Sequence, residues 1–153
     1  MPGWTRLVIA YGSAVLVGGV ATTILSTQIV LQYLVNAGAD MPLAVRLDAT
    51  VTDLVGFAPT LILLTAIGYL IAFPVARSVS RRIGGLRTFG YTLSGFVTIM
   101  MMIYAIEVFY QTLLDSTITP IGSGRDLRGL LIIGMAGAAG GWVFARLAGT
   151  DDD

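Results

Sequence analysis

One acidic side chain, Glu107, lies in the interior of the long apolar run from Phe89 to Asp115 and has the clearest capacity for chemistry. A charged side chain in the middle of a bilayer costs about 2.5–3.5 kcal/mol on insertion scales, so such an acid usually faces another helix or a watery cavity. The polar residues of this run recur at helical steps of three and four and share one helix face: Tyr104, Glu107, Gln111 and Asp115. The stripe predicts a polar pocket that binds a proton or a cation.

A structural interpretation of Glu107 stays open beside the functional one. Burial in an apolar medium disfavours the charged form of a carboxyl group, so Glu107 could be neutral and donate a hydrogen bond across a helix interface. Both interpretations turn this side chain towards other helices rather than towards lipid.

Three amide side chains recur at steps of four near the end of the first apolar run: Gln28, Gln32 and Asn36. If both runs end at the same membrane surface, Gln28 and Glu107 each lie eight residues, or about 12 Å, from that end. The candidate ligand- or ion-binding residues are therefore Glu107, Gln111, Tyr104, Gln28, Gln32 and Asp115, in the outer half of the membrane. The commoner use of such amides is to join helices by hydrogen bonds, and that alternative also stays open.

The absence of Cys and His limits the chemistry of this chain. It excludes disulfides, thiol redox work, iron–sulfur clusters, His-ligated haem and ordinary zinc sites within the chain. We expect no metal, no cofactor and no catalytic residues, because the one acid inside an apolar run has no second carboxylate or nucleophile at an obvious spacing. A net charge of zero gives no indication of nucleic acid binding.

The composition is that of a membrane protein, with 56% hydrophobic residues, 12% charged residues and a mean hydropathy of +0.85. Four segments without charge approach or exceed the length of about 20 residues that spans a bilayer: 7–39, 54–76, 88–106 and 129–145. They predict an all-α integral membrane protein with transmembrane helices at about 7–35, 54–79, 89–115 and 129–148. We expect a single domain over 1–153, an antiparallel bundle, and no soluble domain.

The first apolar run begins like a signal peptide, since Arg6 precedes it and Gly19-Val20-Ala21 fits a cleavage site. The run continues well past that tripeptide to about Val35. We therefore expect a retained first helix.

Small residues recur at helical spacing on several runs and predict close contacts between helices. The first helix has such a ridge at Ala10, Ala14, Gly18 and Thr22, and the last has one at Gly134, Ala138, Gly141, Ala145 and Gly149. Gly137 and Gly141 also form a Gly-x-x-x-Gly pair. The expected helix-packing residues are Gly134, Gly137, Ala138, Gly141 and Gly18, with the partner helix either in the same chain or in another protomer.

The segment between Asn36 and Phe57 mixes charged and aliphatic residues, and alternation at 45–52 resembles a strand. A single strand would have nothing to pair with, so we expect a short interfacial helix or a loop. The second transmembrane helix has two candidate starts: a Thr-x-x-acid capping pattern from Thr50 to Asp53, and Pro59 at a first helical position.

The distribution of arginine indicates the orientation. Six arginines fall on the side of the N-terminus and three on the other, and basic loops favour the cytoplasm. We therefore expect a multi-pass protein of the cell membrane, specifically an inner membrane, with both termini cytoplasmic. Arg81, Arg82 and Arg87 are candidate ligands for anionic lipid headgroups, although the orientation bias alone also explains them.

These features favour a small transport-related subunit that handles protons or cations in a polar pocket around Glu107. The alternatives are a structural or accessory subunit of a larger membrane complex and a protein that binds a lipid or other amphipathic ligand between helices. The expected partners are membrane lipid and either further copies of this chain or a different membrane protein. An enzyme is the least favoured class.

Overall fold

The computed structural model describes residues 3–82, 86–113, 124 and 126–149, without the side chains of Arg82, Tyr110, Gln111 and Leu113. In this part of the chain five helices and no strands are present. The helices are α1 (Gly3–Asn36), α2 (Leu43–Gly56), α3 (Ala58–Arg82), α4 (Arg87–Leu113) and α5 (Leu127–Leu147). The expected all-helical class is confirmed for these residues.

Four of the helices are long and apolar enough to cross a membrane. The shortest of them, α5, has 21 residues and so a length of about 30 Å, the thickness of the hydrocarbon core. The longest, α1, has 34 residues. The expectation of four long apolar helices is therefore confirmed, with bounds that differ from the predicted ones by a few residues.

The four long helices contact one another in a closed ring, in which α1 and α4 each pack against both α3 and α5. At one end the Arg6 Nε donates a hydrogen bond to the carbonyl oxygen of Leu147 at 2.9 Å. At the other end the Tyr33 hydroxyl donates to the carboxylate of Asp126 at 2.5 Å. We call the first the arginine end, where α1 begins and α5 ends, and the second the polar end, where α1 ends and α5 begins.

Five aromatic side chains from all four long helices fill the core near the arginine end: Tyr11, Tyr69, Phe73, Tyr91 and Phe144. Phe73 lies at the centre, stacked on Tyr69 and Phe144 with ring centroids 4.5 and 4.3 Å away. Tyr11 and Tyr91 meet the Phe73 ring edge-on. Nearer the polar end the core is aliphatic and consists of Leu61, Ile99, Ile103 and Ile133.

The closest backbone contact described lies between α4 and α5. A Cβ atom placed on Gly137 would overlap the carbonyl oxygen of Gly95, and one placed on Gly95 would overlap that of Gly137. One turn away, a Cβ on Gly141 would overlap the carbonyl of Tyr91. The two helices reach this separation because none of these glycines has a side chain.

The segment between the first two long helices is largely helical. Residues 43–56 form α2, so the alternation at 45–52 does not mark a strand, and Thr50 to Asp53 lies inside this helix rather than at the start of the next. Phe57 ends α2, and α3 begins at Ala58 with Pro59 in its first turn. The predicted second helix over 54–79 thus includes the last turn of α2.

Candidate functional site

The amides of α1 hydrogen-bond to α2 at the polar end. Arg46 donates through Nη1 to the Gln28 Oε1 at 3.2 Å and through Nη2 to the Gln32 Oε1 at 3.3 Å. The Gln28 Nε2 donates to the Thr50 Oγ1 at 2.9 Å, and the Gln32 Nε2 donates to the Asn36 Oδ1 at 3.2 Å. Both amide oxygens that we expected to face a proton or cation therefore bind a guanidinium group.

A second contact between α1 and α2 joins a hydroxyl to a carboxylate. The Thr27 Oγ1 lies 2.6 Å from the Asp53 Oδ2 and 3.0 Å from the carbonyl oxygen of Thr23. A hydroxyl has one proton, so Thr27 can donate to one of these two acceptors at a time. If the Asp53 carboxylate is ionised, it accepts the hydrogen bond from Thr27. If it is protonated, it can donate a hydrogen bond to the Thr27 hydroxyl, and the proton of Thr27 then points to the Thr23 carbonyl.

Six side chains with hydroxyl groups are buried on α1 and α3. They are all 6% exposed or less: Thr22, Thr23, Ser26 and Thr27 on α1, with Thr65 and Tyr69 on α3. We call them the hydroxyl row. The four members on α1 are spaced i, i+1, i+4 and i+5, so they cover two turns of one helix face. Groups that donate and accept thus line part of an otherwise apolar interior.

The members of the hydroxyl row differ in their hydrogen bonding. Thr23 donates to the carbonyl oxygen of Gly19 at 3.0 Å, and Tyr69 donates to that of Gly137 at 2.8 Å. The Oγ1 atoms of Thr22 and Thr65 are buried and have no hydrogen-bond partner among the described residues. Gly19 lies against the backbone of Ile62, and Thr22 and Thr65 each follow one of these two residues by three positions. A buried hydroxyl without a partner costs about 1–3 kcal/mol, so both groups retain unused capacity for a hydrogen bond.

Glu107 lies on α4 towards the polar end. The buried residues of this helix are spaced four apart, at Tyr91, Gly95, Ile99 and Ile103, and Glu107 is the next position in that series. Its side chain is partly buried, whereas Tyr104 is 58% exposed. Of the predicted stripe, Glu107 thus continues the packed face and Tyr104 points outward. The side chain of Gln111 and the whole of Asp115 lie outside the described residues.

The residues proposed for helix packing lie between helices of this chain. Gly134 faces Phe96 and Met100 of α4, and Gly18 faces the ring of Tyr69. Gly137 and Gly141 lie against the α4 backbone as described above, and Ala138 is partly buried.

The proposed headgroup arginines belong to the arginine end. Arg81 is exposed, and Arg87 is partly buried with its guanidinium carbon 5.8 Å from the centre of the Tyr91 ring. The side chain of Arg82 lies outside the described residues.

Asp126 caps the first turn of α5, where its carboxylate accepts a hydrogen bond from the backbone nitrogen of Gly129 at 2.8 Å. The hydrogen bond from Tyr33 is the main cause that lowers the pKa of Asp126 below its ordinary value of 3.8, and the bond from Gly129 adds to it. This contact ties the end of α1 to the start of α5.

Two contacts could not be expected from the sequence: the one between Asp53 and Thr27, and the one between Arg46 and the amides of Gln28 and Gln32. Both contacts depend on α2 folding back along α1. A signal for the hydroxyl row was present, because Thr22, Thr23, Ser26 and Thr27 follow a helical pattern within a charge-free run.

The described residues contain no group of three or more His, Cys, Asp or Glu side chains that could hold a metal ion. Their chemistry at the polar end is therefore that of carboxylates, hydroxyls and amides. No protein-family model, curated protein or solved structure matches the chain. Function has to be inferred from these residues themselves.

Proposed function

We propose that this chain is a multi-pass protein of the cell membrane that transfers protons or small cations, with Asp53 and Glu107 as the carboxyl groups that bind them. The membrane setting is supported by the outward-facing apolar side chains of the long helices. Leu63 and Leu70 on α3 and Met135 on α5 are 62–65% exposed. In water such a surface would be unfavourable over so large an area, whereas lipid tails cover it without cost.

The proposed arrangement is an antiparallel bundle with both termini in the cytoplasm. The hydrogen bonds between Arg6 and Leu147 and between Tyr33 and Asp126 pair opposite ends of α1 and α5, as two antiparallel neighbours require. The excess of arginine at the end with both termini favours the cytoplasmic side for that end. The polar end then faces the opposite side of the membrane.

The transfer function is supported above all by the position of the Thr27 hydroxyl between the Asp53 carboxylate and the Thr23 carbonyl, 2.6 and 3.0 Å away. Protonation of Asp53 reverses the direction of the hydrogen bond with Thr27, as argued above. A reversal of this kind is the elementary step by which a hydroxyl passes on a proton. The hydroxyls of Thr22 and Thr65 are buried in the same interior and have no partner among the described residues, so they could accept or donate a further hydrogen bond.

The packed interior favours a proton over a hydrated cation. Leu61, Ile99 and Ile133 are at most 1% exposed, and they fill the core towards the polar end. The amide oxygens of Gln28 and Gln32, the other candidate cation ligands, are occupied by Arg46. A proton that passes between Asp53 and Thr27 moves along an existing hydrogen bond and needs no cavity of its own.

The test is proton uptake by vesicles that contain the purified protein and a pH-sensitive dye. A potassium gradient with valinomycin supplies the driving voltage, and protein-free vesicles give the background. The proposal expects protein-dependent acidification that persists when sodium is replaced by a large organic cation. Acidification no faster than in protein-free vesicles contradicts it.

A structural or accessory subunit of a larger complex is the second candidate. It is favoured by the glycine contacts that bring α4 and α5 close together. It is also favoured by the hydrogen bonds from Thr23 and Thr27 to carbonyls one turn back, because purely structural helices form such bonds too. The small residues of α5 pack within the chain, so an oligomer would have to use other surfaces. Native mass in mild detergent distinguishes a foreign partner from further copies of this chain.

A further inference from the structure

The arginine end contains an open pocket between α1 and α5 that the proposed transfer function does not use. Its volume is about 300 Å³, and its lining combines two guanidinium groups with two aliphatic side chains: Arg6, Arg146, Ile9 and Leu147. Among the residues that the structure describes, no acidic side chain is part of this lining. Such a pocket has a cationic part and an apolar part next to each other.

Both guanidinium groups contact neighbours, and within the described part of the chain these neighbours accept a hydrogen bond from only one of their donors. The Arg6 Nε bonds to the Leu147 carbonyl, and Gly149 lies directly against the rest of the Arg6 guanidinium with the left-handed φ of +73°. The Arg146 guanidinium lies over the Trp142 ring, 5.2 Å from its centre. The carbonyl end of α5 offsets only about half of one positive charge, so the pocket stays cationic.

We propose that this pocket binds the phosphate of an anionic phospholipid, with Arg6 and Arg146 as its ligands and Ile9 and Leu147 against the upper acyl chain. This inference rests on the proposed membrane insertion. Two observations favour a lipid over a soluble anion. The pocket lies at the end of two apolar helices, where headgroups would be, and the exposed Trp4 and Trp142 beside it are typical of a membrane interface. The apolar half of the pocket would gain nothing from inorganic phosphate.

The chain itself offers a rival anion, because Asp151, Asp152 and Asp153 follow closely after Gly149. These residues lie outside the described part of the structure. The experiment must therefore separate a lipid phosphate from the carboxylates of this tail.

The two tryptophans of the chain make the test direct, since replacing Trp4 by Phe leaves Trp142 as the sole fluorophore beside Arg146. The full-length Trp4→Phe protein is placed in phosphatidylcholine bilayers that contain brominated phosphatidylglycerol or, at the same mole fraction, brominated phosphatidylcholine. Bromine quenches tryptophan only at short range. The proposal expects stronger quenching by the anionic lipid, and loss of that excess when Arg6→Gln and Arg146→Gln are added. The control Arg128→Gln, an exposed arginine at the polar end, should retain the excess.

Equal quenching by the two brominated lipids would overturn the lipid site while leaving membrane insertion intact. No quenching by either lipid would contradict insertion and the site together. The last comparison is between the full chain and a chain without residues 151–153. Stronger quenching by the anionic lipid in the full chain supports the lipid site. If the stronger quenching appears only after the deletion, the tail occupies the pocket and the proposal is overturned.

Discussion

The guanidinium group of Arg46 lies 3.2 Å from the side-chain oxygen of Gln28, so α2 is attached to α1 through its polar side. The opposite side of α2 carries Leu47, Val51 and Val55 at steps of four, and they are 58–75% exposed. A helix on the surface of a soluble protein has the reverse arrangement, with apolar residues inward. This inversion is what a helix lying at a lipid interface requires.

The attachment of α2 can be tested with Arg46→Gln, which removes a charged donor shared by two amides. Hydrogen bonds to charged groups contribute about 1.5–3 kcal/mol when buried, and the partial exposure of Arg46 lowers this to about 1 kcal/mol. We expect faster backbone hydrogen exchange in α2 than in the unmodified protein, with the long helices unaffected. Arg128→Gln is the matched control, and equal exchange in both variants would show that Arg46 does not hold α2.

The glycine contact between α4 and α5 predicts a large difference between two identical substitutions. Gly141→Ala places a methyl group in the Tyr91 carbonyl, so the helices must separate, at a cost of about 1–3 kcal/mol. Gly12→Ala on α1 meets no atom within 4 Å and should stabilise the helix by about 1 kcal/mol or less. Thermal unfolding in detergent measures both. Similar melting temperatures would mean that the two helices do not meet at Gly141.

Asp126 gives a prediction about acid stability. The pKa of Asp126 is lowered in the folded protein, mainly by the hydrogen bond from Tyr33. The Asp126 carboxylate therefore contributes its full stability at pH values above the ordinary pKa of 3.8. That contribution is lost as the pH falls through the lowered pKa. Asp126→Asn keeps a side chain that caps helices well but removes the titration. The melting temperature of this variant should fall less between about pH 5 and pH 2 than that of the unmodified protein. Parallel curves for the two proteins would exclude the effect.

Glu107 can be tested by two substitutions that separate charge from hydrogen bonding. Glu107→Gln retains the shape and the hydrogen-bonding capacity and removes the charge, so it should abolish proton transfer with folding unchanged or improved. Glu107→Leu should also lower the melting temperature, because it removes hydrogen bonds from its neighbours. The measurements are vesicle acidification and thermal unfolding of each variant. Normal transfer in a well-folded Glu107→Gln protein would leave Glu107 with a structural role.

The sequence alone predicts the long helices because each contains a charge-free run close to membrane-spanning length, and a helix satisfies all backbone hydrogen bonds within such a run. It also indicates that α5 packs closely against another helix, since Gly137 and Gly141 belong to a series of small residues at helical spacing. It could not assign the partner of the Gln28 and Gln32 amides. That partner comes from α2, whose mixed composition is compatible with either a loop or a helix. The contact between Asp53 and Thr27 could not be predicted either, because it depends on the turn between α1 and α2.

Proton transfer through Asp53 can be measured as proton uptake by vesicles containing Asp53→Asn, beside vesicles containing Asp48→Asn. Both substitutions remove one carboxylate from α2, but Asp53 lies 2.6 Å from the Thr27 hydroxyl, whereas Asp48 is exposed. An amide can still hydrogen-bond to Thr27, so the fold should survive, but it cannot take up and release the proton. Transfer through Asp53 predicts uptake at the protein-free level for Asp53→Asn and unchanged uptake for Asp48→Asn. Unchanged uptake in a folded Asp53→Asn protein would contradict it.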